Sequence, residues 1–292
     1  MQRRARLRAA QVNPHQIPNV MQQPSNPGHG PAETRSDWTI AQRWEHYGAT
    51  EHAVWKTLFE RQTRLLPGRA CDAFVQGMHT LPMSAEQIPD FRRLSDVLMK
   101  HTGWQVVAVP GLVPDEVFFE HLANRRFPAG QFIRKPHELD YLEEPDVFDD
   151  VFGHVPMLMN PAIADYIQAY GVGGLRAKAL GKLANLARVY WYTVEFGLVQ
   201  QQDGVRIYGA GIASSFTESV FALDSASPNR IGFDLPRVMR PITASTTSRK
   251  VTSSSAIWTN CWRWRRSTSG RCTKVCTMAC NTSPVTCCRA TA

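Results

Sequence analysis

The chain is organised around the segment Glu144-Pro-Asp-Val-Phe-Asp-Asp-Val-Phe-Gly-His-Val-Pro156, in which acidic residues lead into an apolar run that carries one histidine. Proline is favoured at the first position of a helix, and acidic side chains are favoured in the first turn, where the helix dipole is positive. The segment therefore predicts a helix that begins at Pro145 and holds His154 among apolar neighbours.

Two carboxylates precede His154, Asp150 by four residues and Asp149 by five. Imidazole and carboxylate donors on one helix suit a divalent transition metal. Regular α-helical spacing favours Asp150, because residues four apart are separated by about 40° around the helix and residues five apart by about 140°. The alternative is a helix whose acidic residues cap its start and face solvent, and whose histidine is packed in the core. For such a segment taken alone, this alternative is the more common case.

A second carboxylate of interest, Glu195, lies in the aromatic sequence Tyr190-Trp-Tyr-Thr-Val-Glu-Phe-Gly-Leu198. A buried carboxylate needs a metal or a basic partner to offset its lost hydration. Farther along, Tyr208-Gly-Ala-Gly-Ile-Ala-Ser-Ser-Phe-Thr-Glu218 combines a glycine-rich loop with a capping box formed by Ser215 and Glu218. No strand pattern precedes these glycines, so the loop is better suited to packing near a small ligand than to cradling phosphates.

Hydrophobic periodicity predicts a mainly α-helical protein with a few short strands. The predicted helices cover 51–66, 84–99 and 116–124, the predicted strands cover 104–110 and 131–134, and helices dominate from there to Leu223.

The net charge of +8 does not describe the body of the chain. Residues 1–32 contain four arginines and no acid, and residues 241–292 contain eight basic residues and no acid. All 25 acidic residues lie in 33–240, whose net charge is −4. This distribution argues against nucleic-acid binding by the body. Cys71 is its single cysteine, as expected for a reducing, cytoplasmic protein, and no apolar run is long enough to span a membrane.

We divide the chain into a disordered basic leader (1–37), one catalytic domain (38–240) and an aberrant tail (241–292). The tail holds six cysteines and the sequence Trp262-Arg-Trp-Arg-Arg266, but it has no histidine and lacks the paired cysteine spacing of zinc modules. We interpret it as a segment translated in a shifted reading frame, or as disordered. A nucleic-acid-binding role for the two basic ends is a rival interpretation.

From about Trp38 to Arg240, these motifs resemble the pterin-dependent aromatic amino acid hydroxylases, most closely the bacterial phenylalanine 4-hydroxylases. The resemblance implies the catalytic-domain fold of that family and a facial triad of two histidines and one carboxylate on Fe(II). His154 and Glu195 match two of the three ligands. The remaining ligand position falls on Asp149, where the family has histidine, so we expect weakened iron binding and impaired activity.

The resemblance also implies roles for other residues in this sequence. Asp150 matches an acidic residue that contacts the pterin through water. The matching substrate-binding residues are Arg134, which would pair with the substrate carboxylate, and Pro145, Trp191, Gly211 and Ser214. The matching cofactor-binding residues are Gly111, Leu112, Val113, Phe118, Ala187 and Tyr190.

The activity implied by the resemblance is a monooxygenase reaction of phenylalanine catabolism. Fe(II) and tetrahydrobiopterin, or a related tetrahydropterin, would use O2 to convert L-phenylalanine to L-tyrosine. We expect a cytoplasmic monomer that has neither nucleic acid nor membrane as a partner. The alternative is an inactive homologue that acts as a binding module, which the aspartate at position 149 favours.

Overall fold

Helices make up most of the computed structural model, which describes residues 34–140, 142, 144–228 and 230–239 and the backbone of a strand at 255–258. Most of the predicted leader and tail therefore lies outside the described residues. The α-helices are α1 (Ala49–Leu65), α2 (Asp72–Thr80), α3 (Phe91–His101), α4 (Asp115–Ala123), α5 (Val155–Leu158), α6 (Pro161–Ala179), α7 (Leu183–Tyr190), α8 (Ala210–Ser214), α9 (Phe216–Asp224) and α10 (Leu235–Met239). The strands are β1 (Gln105–Val109), β2 (Arg126–Gly130), β3 (Gly197–Gln201), β4 (Gly204–Ile207), β5 (Arg230–Gly232) and β6 (Ser255–Trp258).

Two short 3-10 helices (Trp44–His46 and Pro136–Glu138) and two π-helical turns (Phe148–His154 and Trp191–Glu195) complete the described elements. The mainly α-helical class predicted from the sequence is confirmed. No helix among the described residues is both long enough and apolar enough to cross a bilayer.

Several predicted boundaries were wrong. The helix predicted from Ser84 begins at Phe91, because the Asp90 carboxylate accepts a hydrogen bond from the Arg92 amide at 2.9 Å and caps it. The strand predicted at 131–134 lies instead at Arg126–Gly130, although it contains Pro128. Proline is tolerated there because β2 is an edge strand, with β1 as its one neighbouring strand among the described residues.

The two sheets are small. β1 and β2 pair in parallel, and α4 forms the connection between them. In the second sheet the strand order is β4-β3-β6-β5, with β3 antiparallel to β4 and β6 parallel to both of its neighbours. Strand β6 belongs to the tail predicted to be aberrant or disordered, and the composition of that tail gave no indication of a strand.

An aromatic cluster fixes the π-helical turn at Phe148–His154. The rings of Phe148 and Phe152, both on this turn, stack with 4.6 Å between centroids. Trp55 packs edge-on against Phe148 at 5.3 Å, and Phe59 packs against Phe152 at 5.6 Å. Replacing a buried aromatic side chain by alanine costs about 3–5 kcal/mol, so this packing holds the turn firmly against α1. His154 ends the turn and thus has a defined position.

Candidate active site

The two π-helical turns bring the predicted metal ligands His154 and Glu195 together. His154 Nε2 lies 3.1 Å from Glu195 Oε1, and His154 Nδ1 lies 3.2 Å from the carbonyl oxygen of Asp149. Burial lowers the pKa of His154, but the charge of Glu195 and its hydrogen bond outweigh this effect and raise the pKa to about 9. The pair forms a partly buried contact between an imidazole and a carboxylate, 41 residues apart in sequence.

The separation of these two atoms suits a shared metal ion. Two ligands at about 2.1 Å from one ion and at right angles to each other lie about 3.0 Å apart. The 3.1 Å between His154 Nε2 and Glu195 Oε1 matches that value. Nδ1 faces a backbone carbonyl, which favours a proton on Nδ1, so an ion would take the place of the proton that Nε2 shares with Glu195. His154 and Glu195 therefore fit two neighbouring positions of a facial triad.

The third predicted ligand, Asp149, makes a different contact. Its Oδ2 atom accepts a hydrogen bond from Arg134 Nη2 at 2.7 Å. Burial and the charge of Asp146 raise the pKa of Asp149, while the charge of Arg134 and a hydrogen bond from Ser214 oppose this rise. Within the described part of the chain, no three His, Cys, Asp or Glu side chains are grouped so that they could hold a metal ion. A triad that includes Asp149 stays a prediction.

Asp146 was missed by the sequence reasoning, although it belongs to the segment quoted first. Its side chain is fully buried, and its carboxylate accepts hydrogen bonds from Arg134 Nε at 2.8 Å and Arg134 Nη2 at 3.0 Å. It also accepts bonds from the backbone amides of Arg134, Phe148 and Asp149. Asp146 thus anchors the start of the π-helical turn and orients Arg134 at once. The only available signal was an acidic residue just before a helical turn.

Asp150 lies on the side of the turn that faces β2. Its Oδ2 atom accepts a hydrogen bond from the Gly130 amide at 2.8 Å. Burial raises the pKa of Asp150 to about 8, although His154 acts in the opposite direction. The spacing argument that favoured Asp150 as the nearer partner of His154 assumed an α-helix. In the π-helical turn, hydrogen bonds link residues five apart, and the backbone carbonyl of Asp149 therefore contacts His154.

Four of the predicted cofactor-binding residues line one cleft together with Asp150: Gly111, Leu112, Val113 and Phe118. The Phe118 ring lies 5.9 Å from the ring of Tyr190, in an edge-on arrangement. Tyr190 in turn lies 6.5 Å from the His154 ring and nearly parallel to it. The cleft is thus connected to the metal-ligand pair through aromatic rings. Ala187 lies one turn before Tyr190 on α7 and is half-buried.

The predicted substrate-binding residues are distributed around the same centre. A Cβ atom on Gly211 would lie 3.1 Å from Glu195 Oε2, so this glycine allows α8 to approach the carboxylate closely. Ser214 is buried beside Asp149, and Trp191 packs its ring against Phe196 at 4.6 Å. Pro145 lines the cleft of the predicted cofactor residues. The assignments of these four residues and of Arg134 as substrate-binding residues stay predictions.

An apolar cavity on the α6 side of His154 was not predicted. Its lining includes Ile163, Tyr166 and Ile167 of α6, as well as Val194 beside Glu195. Sequence reasoning used α6 only as part of a helical stretch. An apolar face at helical spacing is more often core than cavity, and the pattern of residues does not distinguish the two.

The sequence profile of the biopterin-dependent aromatic amino acid hydroxylases matches residues 40–252. The chain is 68% identical over 212 residues to a phenylalanine-4-hydroxylase of Caulobacter vibrioides, covering 73% of this chain and 72% of that protein. It is 60% identical over 210 residues to the phenylalanine-4-hydroxylase of Chromobacterium violaceum, covering 72% of this chain and 71% of that protein.

Solved structures agree with these matches. The phenylalanine hydroxylase of Chromobacterium violaceum with bound iron(III) and 7,8-dihydrobiopterin superposes with a TM-score of 0.72 at 56% identity, covering 78% of this chain and 82% of that one. The iron- and phenylalanine-bound structure of the same enzyme gives a TM-score of 0.73 at 48% identity, covering 87% of this chain and 95% of that one. The chain belongs to the family of biopterin-dependent aromatic amino acid hydroxylases.

Proposed function

We propose that this protein is a phenylalanine 4-monooxygenase of phenylalanine catabolism, which uses Fe(II), a tetrahydropterin and O2 to convert L-phenylalanine to L-tyrosine. The observation that carries the proposal is the pairing of His154 Nε2 and Glu195 Oε1 at the separation of two neighbouring metal ligands. The names of its relatives and the iron, pterin and phenylalanine in their solved structures support the same reaction.

His154 and Glu195 would hold the iron, which supplies the activation of O2 that an aromatic C–H bond requires. The described donor set fits two of the three protein ligands, because the Asp149 carboxylate is bound to Arg134. The protein's own part is to hold Nε2 of His154 toward the ion, through the contact of Nδ1 with the Asp149 carbonyl, and to keep Glu195 beside it.

The cofactor cleft would orient the pterin beside this centre. Phe118 and Tyr190 offer aromatic faces and edges for stacking on its ring. Residues 111–113 and Asp150 also line the cleft, and Asp150 would contact the pterin through water. The burial of Asp150 and the surrounding apolar groups limit the access of bulk water to the reacting atoms.

Arg134 would bind the substrate carboxylate, since a guanidinium can donate two parallel hydrogen bonds to a carboxylate. Pro145, Trp191, Gly211 and Ser214 would enclose the rest of the amino acid. Gly211 would bring this part of the substrate pocket close to the Glu195 carboxylate, since an ideal Cβ on Gly211 lies 3.1 Å from Glu195 Oε2.

The proposal also covers the domain organisation, the oligomeric state and the cellular location of the protein. A catalytic domain over 38–240 would act as a monomer in the cytoplasm, in keeping with a single buried cysteine in that region. The leader (1–37) and the tail (241–292) would not take part in the chemistry. The candidate roles of the domain reside in the part of the chain from the segment after β1 to α8.

The test is phenylalanine-dependent tyrosine formation by the full chain, supplied with Fe(II), tetrahydropterin and O2. We expect tyrosine to form, and we expect the Asp149→His variant to form it faster. Glu195→Ala, which removes one of the two fitted ligands, should lose activity by about 100-fold or more. If the chain and Asp149→His both bind phenylalanine without forming tyrosine, the alternative of an inactive binding module is correct.

A further inference from the structure

Arg134 is paired with two carboxylates, those of Asp146 and Asp149, although a single carboxylate would balance its charge. The Asp146 carboxylate binds the side of the guanidinium and accepts hydrogen bonds from Nε at 2.8 Å and from Nη2 at 3.0 Å. Asp149 Oδ2 takes a further hydrogen bond from Nη2 at 2.7 Å. The Arg134 side chain is only 6% exposed, and that of Asp146 is fully buried. This small buried group thus brings two acids to a single guanidinium.

We propose that Asp149 serves in this chain as a second counter-ion of Arg134 and not as a metal ligand, and that it thereby competes with the substrate carboxylate for the arginine. The part that concerns the substrate rests on the proposed function. The part that concerns the metal rests on the contacts of His154, Glu195 and Asp149 alone.

The donors of Arg134 explain the competition. A guanidinium binds a carboxylate through two parallel N–H groups, either Nε with Nη2 on its side or Nη1 with Nη2 at its end. Both pairs include Nη2, whose two hydrogens point to Asp146 and Asp149. A substrate carboxylate can make the end-on pair only by displacing Asp149. Before Asp149 is displaced, its negative charge also repels the substrate carboxylate at Nη2.

The contacts of the metal-ligand pair support the other half of the proposal. Asp149 meets His154 through its backbone carbonyl, at 3.2 Å from Nδ1, whereas its carboxylate is directed to Arg134. For Asp149 to become a ligand, its carboxylate would have to leave Arg134.

The first experiment titrates the full-length protein with Co²⁺, a probe that needs no turnover. The variants are Asp149→Asn, which keeps the size of the side chain, Asp149→Ala and Asp149→His. The matched control is Asp140→Asn. The Asp140 side chain is 83% exposed, and its carboxylate pairs with Arg61 at 2.6 Å. Thermal unfolding of every variant, followed by circular dichroism, establishes that it is folded.

We expect Asp149→Asn and Asp149→Ala to change the Co²⁺ dissociation constant by less than fivefold, as in the control. Asp149→His, which adds an imidazole donor, should tighten binding at least tenfold. A loss of fivefold or more in Asp149→Asn, with the control unchanged, would show that the Asp149 carboxylate is a ligand and would overturn the proposal. If Asp149→Ala does not fold, the same criterion applies to Asp149→Asn alone.

The second experiment measures the binding of 3-phenylpropionate and phenethylamine by calorimetry. The first compound carries only the carboxylate of phenylalanine, and the second carries only its ammonium group. We expect Asp149→Asn to bind 3-phenylpropionate at least fivefold more tightly than the unchanged chain, with no such gain for phenethylamine. Equal or weaker binding of 3-phenylpropionate by Asp149→Asn would refute the competition.

The two experiments separate this proposal from the proposed function. If iron-loaded Asp149→His forms no tyrosine while the Co²⁺ and 3-phenylpropionate results are as expected, the function is wrong and the role of Asp149 stands. If tyrosine forms but Asp149→Asn loses Co²⁺ affinity, the function stands and the role of Asp149 is wrong.

Discussion

Replacing Asp146 by asparagine tests the buried network that supports the site. The Asp146 carboxylate accepts hydrogen bonds from three donors of Arg134 and from the amides of Phe148 and Asp149. The variant keeps the shape of the side chain, but it removes the charge. It also turns one of the two acceptor atoms into an NH2 group that faces donors.

The expected cost follows from these contacts. Removing one partner of a buried ion pair costs about 3–5 kcal/mol, because the other charge is left uncompensated. Asp149 still neutralises Arg134 at 2.7 Å, which places the loss at the lower end of that range. We therefore expect the free energy of unfolding to fall by about 3 kcal/mol. In an Asp149→Asn background the same change should cost more, since no counter-ion remains.

Urea unfolding followed by circular dichroism measures the effect. With a slope of about 2–3 kcal/mol per molar urea, the midpoint should shift down by about 1 M. Asp140→Asn is the matched control, because it breaks an exposed aspartate–arginine pair worth about 0–1 kcal/mol. A loss below about 1 kcal/mol for Asp146→Asn, or one equal to that of the control, would refute the reasoning that burial sets the value of this network.

Three further changes probe other parts of the account. Gly211→Ala would place a Cβ atom 3.1 Å from Glu195 Oε2, and the displaced carboxylate should weaken Co²⁺ binding; unchanged affinity would contradict the close approach. Phe118→Leu removes an aromatic face from the cofactor cleft and should weaken tetrahydropterin binding by about tenfold, with Co²⁺ affinity unchanged as the internal control. The Thr39 hydroxyl, the Thr39 backbone amide and then Arg126 lower the pKa of Asp37 to about 2, so its stabilising effect is present above pH 4 and is lost as the pH falls toward 2. The Asp37 side chain is 39% exposed, so Asp37→Asn should lower the free energy of unfolding by about 1 kcal/mol at pH 7 and by progressively less below pH 4. A loss that is independent of pH in urea unfolding would disprove this linkage.

The sequence was sufficient for the helical class of the fold and for the pairing of His154 with Glu195. The apolar neighbours of His154 and Glu195 are visible in the sequence. The resemblance to a known family then connected these two residues, which lie 41 positions apart. The resemblance also grouped Gly111, Leu112, Val113 and Phe118, which line one cleft in the structure, whereas their role in cofactor binding stays a prediction. Each of these predictions depends on which residues are present, and not on the detailed path of the backbone.

The geometry of the π-helical turns was not predictable from the pattern. An α-helical spacing rule put Asp150 nearest to His154, because the rule assumes hydrogen bonds between residues four apart. The stacking of Phe148 on Phe152 and the five-residue hydrogen-bond spacing depend on tertiary packing against α1. Such packing is not encoded in local periodicity.

The network of Asp146, Arg134 and Asp149 also needed the structure. Each residue is common in sequences, and an acidic residue before a helical turn is usually a solvated cap. Their convergence depends on where the chain after β2 meets the start of the π-helical turn. The position of β2 itself was misplaced, because the sequence predicted a strand at 131–134 and the structure has it at Arg126–Gly130.

The most direct test of the central claim is the formation of tyrosine from L-phenylalanine under isotopically labelled dioxygen, with Fe(II) and tetrahydropterin present. The account predicts that the new hydroxyl group carries the label, that Asp149→His forms more tyrosine per bound metal than the unchanged chain, and that Glu195→Ala forms essentially none. Iron-loaded Asp149→His that binds phenylalanine and tetrahydropterin but forms no labelled tyrosine would contradict it.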